Sequence, residues 1–197
     1  IKGATNIDWE ELTADNNYIY ICDTGNNYGT RKDLKIYKID KDFILKDSIV
    51  ISYENQKSFK RKRKNRYDAE AVASVDSVLL LFSKDRKKLS TQVYSIPKEA
   101  KSYILKPITE FQVEALVTAA DYDPISKTLA LTSYTFEGDQ YLYRFLNFNI
   151  NDIKNSKFDK YLIPVKPAQI EAIKIEDSSS FWITSEDEGD GVPRLFK

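Results

Sequence analysis

The sequence predicts an all-β fold, a β-propeller built from four-stranded antiparallel blades. A short acidic motif recurs four times, and each copy is followed by short runs rich in β-branched and aromatic residues. Such runs alternate with period 2 as strands do, and no stretch of ten or more residues shows a convincing helical period. Tandem four-strand sheets pack radially because that arrangement leaves only short, protected edges. A β-sandwich is the alternative, but it does not explain a glutamate repeated at one position.

The motif reads Asp or Gln, any residue, Glu, Ala or Glu, and then an aliphatic residue. Its four copies are Asp8–Leu12, Asp68–Val72, Gln112–Leu116 and Gln169–Ile173. The glutamates of successive copies are 60, 44 and 57 residues apart, near the roughly 40–50 residues expected of a propeller blade. We therefore expect a single propeller domain over residues 1–197, with blades at about 5–54, 67–110, 111–165 and 168–197.

Each motif is followed by further predicted strands. The second strands are Tyr18–Cys22, Val78–Ser83, Leu129–Ser133 and Phe181–Ser185. The third strands are Leu34–Ile39, Thr91–Ile96, Tyr141–Phe148 and Arg194–Phe196. A fourth strand closes three of the units: Ser48–Tyr53, Tyr103–Ile108 and Lys160–Val165. The best helical candidate, Asn151–Phe158, is short and polar.

The composition excludes several functional classes. The 30 basic residues balance the 30 acidic ones, so no global field steers the protein towards nucleic acid, and we expect no nucleic-acid partner. There is no histidine and only one cysteine, Cys22, which removes His-based acid–base chemistry and zinc sites built from Cys and His. A metal site must then consist of oxygen ligands, which favours calcium or magnesium.

The longest purely apolar run, Val78–Phe82, is far too short to span a bilayer. We therefore expect a protein without transmembrane segments. No signal peptide is visible at the start of the chain.

Five segments, in this order, resemble a family of exported bacterial propeller proteins that has no established activity. They are Asn6–Leu12, Asp23–Asn27, Asp33–Ile39, Tyr67–Ala71 and Gln169–Ile173, and the resemblance covers nearly the whole chain. Members are often lipid-anchored or followed by other modules, and they usually carry one more blade upstream. The resemblance thus implies five blades in the natural protein, with the N-terminal one missing here, and a location in the periplasm, on the outer surface or outside the cell.

More distantly, the glutamate at the start of each unit resembles that of the gluconolactonase-like and SdiA-regulated propellers. In those families a glutamate at the head of an innermost strand binds calcium or another divalent cation. The resemblance therefore implies that the repeated glutamates are metal ligands.

The repeated carboxylates are the main candidate site. The first strand of each propeller blade lines the central channel, so equivalent residues converge at one level of the axis. The candidate metal ligands are Glu10, Glu70, Glu114, Glu171, Asp8 and Asp68, and Gln112 and Gln169 supply neutral oxygens in two blades. Crowded carboxylates repel one another and require a proton or a cation, and calcium accepts about 6–8 oxygens. The alternative is a latch, in which each Glu accepts hydrogen bonds from backbone N–H groups of the next blade.

Three other segments carry chemistry. Asp23–Asn27, with Asp23 as its candidate ligand, is a tight turn or a calcium loop, and the turn is favoured because Gly and Asn tolerate positive φ. Ser185–Asp190 is acidic, and its Glu186 is a weaker candidate ligand. The basic run Lys60–Arg66 is predicted to be a solvated loop between two blades, with side chains that do not meet a binding groove.

No catalytic signature stands out, so the sequence favours a non-catalytic ligand-binding or scaffolding propeller with an axial calcium or other divalent-ion site. We expect it to be monomeric and to bind a small molecule or a protein. The alternative is a metal-dependent hydrolase of the lactonase or phosphoester type, in which a channel carboxylate acts as the base. An intracellular interaction platform would fit the lack of disulfides but not the family resemblance.

Overall fold

The computed structural model describes residues 1–165, 168–187 and 192–197. Strands account for 50% of the residues and helix for 3%, which confirms the predicted all-β class and the low helix content. The strands form four small sheets arranged as a four-bladed β-propeller.

The first blade contains β1 (Glu11–Ala14), β2 (Ile19–Asp23), β3 (Lys35–Ile39) and β4 (Leu45–Tyr53). The second contains β5 (Asp68–Val75), β6 (Val78–Lys84), β7 (Thr91–Pro97) and β9 (Thr109–Phe111), and β8 (Ser102–Leu105) joins the first blade instead. The third contains β10 (Leu116–Asp123), β11 (Thr128–Tyr134), β12 (Gln140–Phe145) and β13 (Asp159–Ile163). The fourth contains β14 (Gln169–Ile175), β15 (Phe181–Glu186) and β16 (Arg194–Phe196). A 3₁₀ helix, Ile150–Asn155, connects β12 to β13.

The innermost strands of the four blades are neighbours around one axis. β1, β5, β10 and β14 each stand first in their sheets. β5 packs against both β1 and β10, and β10 also packs against β14. The motif copies lie in these strands or directly before them, so the fold brings the starts of the first, second and fourth units close together.

The strand predicted at Tyr103–Ile108 to close the second unit is wrong. β8 pairs in parallel with β4 of the first blade, and the shorter β9 pairs with β7 instead. Pro107 separates the two strands, because a proline cannot donate to a ladder and interrupts a continuous strand. β8 thereby covers the outer edge of β4, a nine-residue strand, whose backbone groups would otherwise form an open sheet edge.

The hydrophobic cores lie between adjacent blades, and β6 shows why. Leu79 and Leu81 pack with residues of the first blade, whereas Leu80 and Phe82 pack with residues of the third. All four side chains are fully buried, and burial stabilises by about 1.5–3 kcal/mol for a side chain of this size. A strand buried on both faces reads as a continuous apolar run, which accounts for Val78–Phe82.

Asp15, in the turn after β1, ties the first blade to the second. Its Oδ1 accepts from the backbone N–H groups of Asn17 and Tyr18, both at 2.9 Å. Its Oδ2 accepts from the Tyr20 hydroxyl at 2.9 Å and from the Lys98 ammonium of the second blade at 3.0 Å. Partial burial raises the pKa of Asp15, but these four donors outweigh burial and lower the pKa to about 2.

We expect Asp15→Asn to lower the free energy of unfolding by about 1 kcal/mol at neutral pH, because Oδ1 still accepts while the charge facing Lys98 is lost. Since the folded pKa lies below the unfolded value, the stabilisation exists above about pH 4 and disappears as the pH falls towards about 2. Urea unfolding at several pH values measures this. A deficit in the variant that is the same at about pH 3 as at pH 7 would contradict the ionic role.

Candidate functional site: the acidic mouth of the channel

Three carboxylates meet at the mouth of the channel. One oxygen from each of Glu10, Asp68 and Glu70 lies within 4.8 Å of the others. Asp68 and Glu70 belong to β5 and are 0% and 7% exposed, and the half-buried Glu10 directly precedes β1. These three residues, the acidic cluster, include two of the four repeated glutamates.

A lysine that the sequence reasoning missed lies in the same place. Lys84 ends β6, pairs in register with Asp68, and has a side chain only 1% exposed. Its ammonium group forms an ion pair with Glu70. Burial lowers the pKa of Lys84, whereas the negative charges of Glu171 and Asp68 favour its protonated form. An internal cation therefore neutralises part of the acidic cluster.

Asp68 is held by a second cation and by the backbone of the first blade. It forms an ion pair with Arg86, whose other guanidinium nitrogen donates to Asn27 Oδ1 at 2.8 Å. Asp68 Oδ1 also accepts from the backbone N–H of Asn26 at 2.6 Å. This carboxylate therefore links the second blade to the loop after β2, which is a structural role in addition to any ligand role.

The two cations leave part of the negative charge uncompensated. Burial, with the nearby charges of Asp8 and Asp68, raises the pKa of Glu10 to about 8. The pKa of Asp8 is also raised, by burial first and then by Asp68. Carboxylates crowded in this way hold a proton unless a further cation replaces it. The acidic cluster thus offers a place for one more positive charge.

Gly25 forms the wall beside Asp8 and Glu10. A Cβ atom at Gly25 would overlap with Glu10 Oε1 and Asp8 Oδ2, so only glycine lets the loop after β2 lie against both carboxylates. The loop is fixed there because the Gly25 N–H donates to the Asp8 carbonyl at 3.2 Å and the Gly25 carbonyl accepts from Arg31 at 2.8 Å. Asp23–Asn27 is therefore part of the site's framework.

Within that loop, Asp23 is fully buried, and its Oδ1 makes both of the contacts that follow, while its buried Oδ2 has no hydrogen-bond partner among the described residues. It accepts from the Asp8 N–H at 2.9 Å and forms an ion pair with Arg31 at 3.0 Å. These contacts position Asp8 and Gly25.

The pairing register identifies which residues are equivalent in the blades. A β-bulge in β5, between the pairs Asp68–Lys84 and Ala71–Phe82, contains Glu70, and a bulge at the matching position of β14 contains Glu171. Bulges re-aim a side chain relative to the ladder. In the third blade the matching bulge contains Thr118, since Val117 pairs with Ser133 and Ala119 with Thr132. The structural equivalent of Glu70 in that blade is therefore a threonine.

The structure places Glu114 away from the acidic cluster, four residues before Thr118. Its side chain is 85% exposed and faces Lys160 at 3.6 Å, and its φ of 58° belongs to a turn before β10. Gln112 is also exposed and donates to Glu110 at 3.2 Å. The third unit contains the sequence motif, but its innermost strand begins only at Leu116, the last residue of the motif. Glu114 and Gln112 therefore do not reach the mouth.

The fourth blade contributes Glu171 and Gln169. The Gln169 amide donates to Glu171, and the charge of Glu171 acts on both Glu10 and Lys84. Glu186 is exposed at the end of β15, opposite Gln169 in the register. Residues 188–190 of the predicted acidic segment lie outside the described residues.

Hydrogen bonds that link the innermost strands of different blades involve Glu11, which follows Glu10, and Thr118 of the third blade. Glu11 of β1 accepts from the backbone N–H of Ala120 in the third blade at 3.1 Å, and burial raises the pKa of Glu11 to about 8. The Thr118 hydroxyl donates to the Ile170 carbonyl of the next blade at 2.6 Å. The sequence offered a latch to the next blade as the alternative role of each repeated glutamate, and here the adjacent Glu11 makes a backbone contact of that kind, but to the third blade.

A large cleft opens beside the acidic cluster and corrects one part of the prediction for Lys60–Arg66, whose residues 60–64 are exposed as expected. The cleft has a volume of about 760 Å³ and is lined by Asn27, Tyr28, Arg63, Lys64, Arg86, Tyr134 and Phe136. Arg63 and Lys64 come from the basic run, so its side chains do meet a groove. Asn65 holds this part of the basic run against the cleft, since it is buried and its amide donates to the Asn27 carbonyl at 2.9 Å. We refer to these seven residues as the basic cleft.

Comparison with known proteins supports no family assignment. Neither the family models nor the curated proteins compared with this sequence include a match. Among solved structures, the chain is similar to a protein of Bacteroides uniformis solved as a candidate 6-phosphogluconolactonase, with a TM-score of 0.49 and 14% sequence identity over 100% of this chain. The chain spans 58% of the length of that protein.

The fold and the site together define a four-bladed β-propeller with a lysine-centred acidic cluster at its mouth. Within the described residues, no helix is long and apolar enough to cross a membrane.

Proposed function

We propose that this protein is a non-catalytic, ligand-binding propeller whose channel mouth holds a divalent cation, with calcium as the ion. The observation that carries the proposal is the convergence of Glu10, Asp68 and Glu70, with one oxygen from each within 4.8 Å of the others. We also propose that the protein is exported and monomeric. Calcium fits an oxygen-only donor set, and three carboxylates offer up to six of the roughly 6–8 oxygens it takes.

The charge balance supports this assignment. Lys84 is paired with Glu70 and Arg86 with Asp68, whereas burial and the charges of Asp8 and Asp68 raise the pKa of Glu10. A divalent ion near Glu10 would replace the proton and share oxygens with its two neighbours. Asp8, two residues earlier, lies on the same side of the cluster and would add a further oxygen.

We expect calcium to raise the melting temperature by about 5–10 °C when its concentration is about 100 times Kd, since a ligand that binds only the folded state stabilises it by about 2.7 kcal/mol. Thermal unfolding in calcium and in a chelator measures the shift. In Glu10→Gln the shift should fall to less than about half, while the fold persists because the neutral amide resembles the protonated carboxyl.

Glu114→Gln is the matched control. It removes the same charge from a glutamate of the same motif, but at a side chain that is 85% exposed and outside the acidic cluster. Its calcium response should equal that of the parent protein. Identical melting curves in calcium and in chelator would refute the cation site and leave Lys84 and Arg86 as the counter-ions of the cluster among the described residues.

A metal-dependent hydrolase is the second candidate, favoured by the cleft of about 760 Å³ that adjoins the cluster through Arg86. Glu10 would be the general base, since it lies beside Asp68 and Glu70 at the channel mouth and is, among the described residues, the carboxylate of the cluster without a basic side chain paired to it. A bound cation would supply polarisation of the substrate oxygen.

Hydrolysis of p-nitrophenyl phosphate and of a simple lactone in calcium tests the hydrolase. The enzyme requires a rate that falls by about 100-fold or more in Glu10→Gln and not in Glu114→Gln. Equal rates in the parent and both variants would exclude this second candidate.

A further inference from the structure

The basic cleft has a charge that is opposite to that of the acidic cluster and only partly used within the protein. Arg86 is the one cation of the cleft with an ion pair, to Asp68. Among the described residues, no carboxylate lies within 4.0 Å of the Arg63 guanidinium or the Lys64 ammonium. Two uncompensated cations that face one cavity attract a ligand with a concentrated negative charge.

The cleft also has an aromatic part, and the guanidinium of Arg61 lies over one of its rings, that of Tyr28, at 3.6 Å from the ring centroid. Tyr28, Tyr134 and Phe136 line the cleft beside the cations, and the Phe136 ring is 64% exposed. Phe136 lies in the loop after β11, and Tyr28 lies in the loop after β2, so blades one and three both present rings to the cavity. Aromatic side chains favour a flat or ring-shaped ligand, because stacked and edge-on ring contacts are favourable.

The loop that carries the cations is held in place. The Asn65 amide donates to the carbonyls of Asn27 and Lys62 at 2.9 and 3.0 Å, and the Lys62 N–H donates to the Tyr28 carbonyl at 2.9 Å. The Arg86 N–H donates to the Asn65 carbonyl at 3.1 Å. A binding site whose cations stand on an anchored loop loses less conformational entropy when the ligand binds.

We propose that the basic cleft is a binding site for a small organic phosphate that carries a ring. The phosphate would lie between Arg63 and Lys64, since guanidinium and ammonium groups form strong charge-assisted hydrogen bonds with phosphate oxygens. The ring would contact the aromatic side chains across the cavity. A volume of about 760 Å³ lies within the range of about 300–1,000 Å³ typical of small-molecule sites.

Isothermal titration with phenyl phosphate, inorganic phosphate and phenol tests both halves of the site. All titrations are performed in a chelator, so that they are independent of any calcium at the acidic cluster. We expect phenyl phosphate to bind at least about tenfold more tightly than inorganic phosphate, and phenol to show no measurable binding. The affinity for phenyl phosphate should fall as the salt concentration rises.

The double variant Arg63→Ser/Lys64→Ser should weaken phenyl phosphate binding by at least about tenfold. Both side chains are exposed, so the melting temperature should change little. Lys41→Ser/Lys154→Ser removes two exposed positive charges that do not line the cleft, and its affinity should remain within about twofold of the parent.

Equal weakening in both double variants would show a non-specific charge effect and overturn the proposal. So would equal affinities for phenyl phosphate and inorganic phosphate, because the aromatic part would then contribute nothing. Failure of the calcium experiment leaves this proposal intact, since the anion titrations contain no calcium and change no residue of the acidic cluster.

Discussion

Lys84→Met is expected to lower the free energy of unfolding by about 3–5 kcal/mol at pH 7, because removing one partner of a buried ion pair leaves the other charge uncompensated. The Lys84 side chain is 1% exposed and pairs with Glu70, and the charges of Glu171, Asp68 and Glu10 also act on it. Methionine retains the unbranched, apolar part of the side chain, so the loss reports mainly on charge. Urea unfolding at pH 7 measures it.

The double variant Lys84→Met/Glu70→Gln separates charge from packing. If the loss in Lys84→Met arises from the orphaned carboxylate, neutralising Glu70 should restore at least about half of it. The single variant should also be less impaired at about pH 5 than at pH 8, since the orphaned carboxylate takes up a proton at the lower pH. A loss below about 1 kcal/mol that the second substitution does not change would mean that Lys84 is not the counter-ion of the cluster.

The stabilisation by calcium can also be compared between the parent protein and Lys84→Met. The ammonium of Lys84 and a divalent ion serve the same carboxylates, so removing Lys84 should increase the stabilisation that calcium provides. In this view the lysine keeps the propeller folded when the ion is scarce, and the ion supplies the charge that Lys84 alone does not.

The fold was largely predictable from the sequence because a propeller repeats. The apolar run Val78–Phe82 and its counterparts recur after each motif, and most of the predicted strands agree with the structure to within a few residues. The exception, Tyr103–Ile108, depends on which sheet edge a strand joins. That choice depends on contacts between Leu105 and the long strand β4, which are distant in sequence and leave no local pattern.

The site was less predictable, for reasons visible in single residues. Glu114 matches the motif, yet a loop and a bulge shift the third blade so that Thr118 takes the equivalent position. Lys84 is the last residue of its strand, as Tyr134 and Glu186 are of the second strands in other blades, so an alignment of second strands could have suggested that it faces the same mouth. Its ion pair with Glu70, however, depends on the pairing register of β5 and β6.

Gly25→Ala is expected to weaken calcium binding by at least about tenfold while lowering stability by less than about 1 kcal/mol. The new Cβ would occupy the positions of Glu10 Oε1 and Asp8 Oδ2. Both atoms are the ends of flexible side chains, so they can move aside without displacing the backbone, but they then leave the geometry that brings the carboxylates together. Calorimetric titration with calcium, beside thermal unfolding in chelator, measures the two effects separately.

Gly138→Ala is the control for a general effect of filling a glycine. Its φ of 84° makes alanine strained there, and no atom lies within 4 Å of the added Cβ, so it should lower stability without altering the calcium affinity. A Gly25→Ala protein that binds calcium like the parent would show that Asp8 and Glu10 are not ligands. In that case Gly25 would be required only for the fit of the loop after β2, and the metal proposal would rest on Asp68 and Glu70 alone, both of which already have cationic partners in the protein.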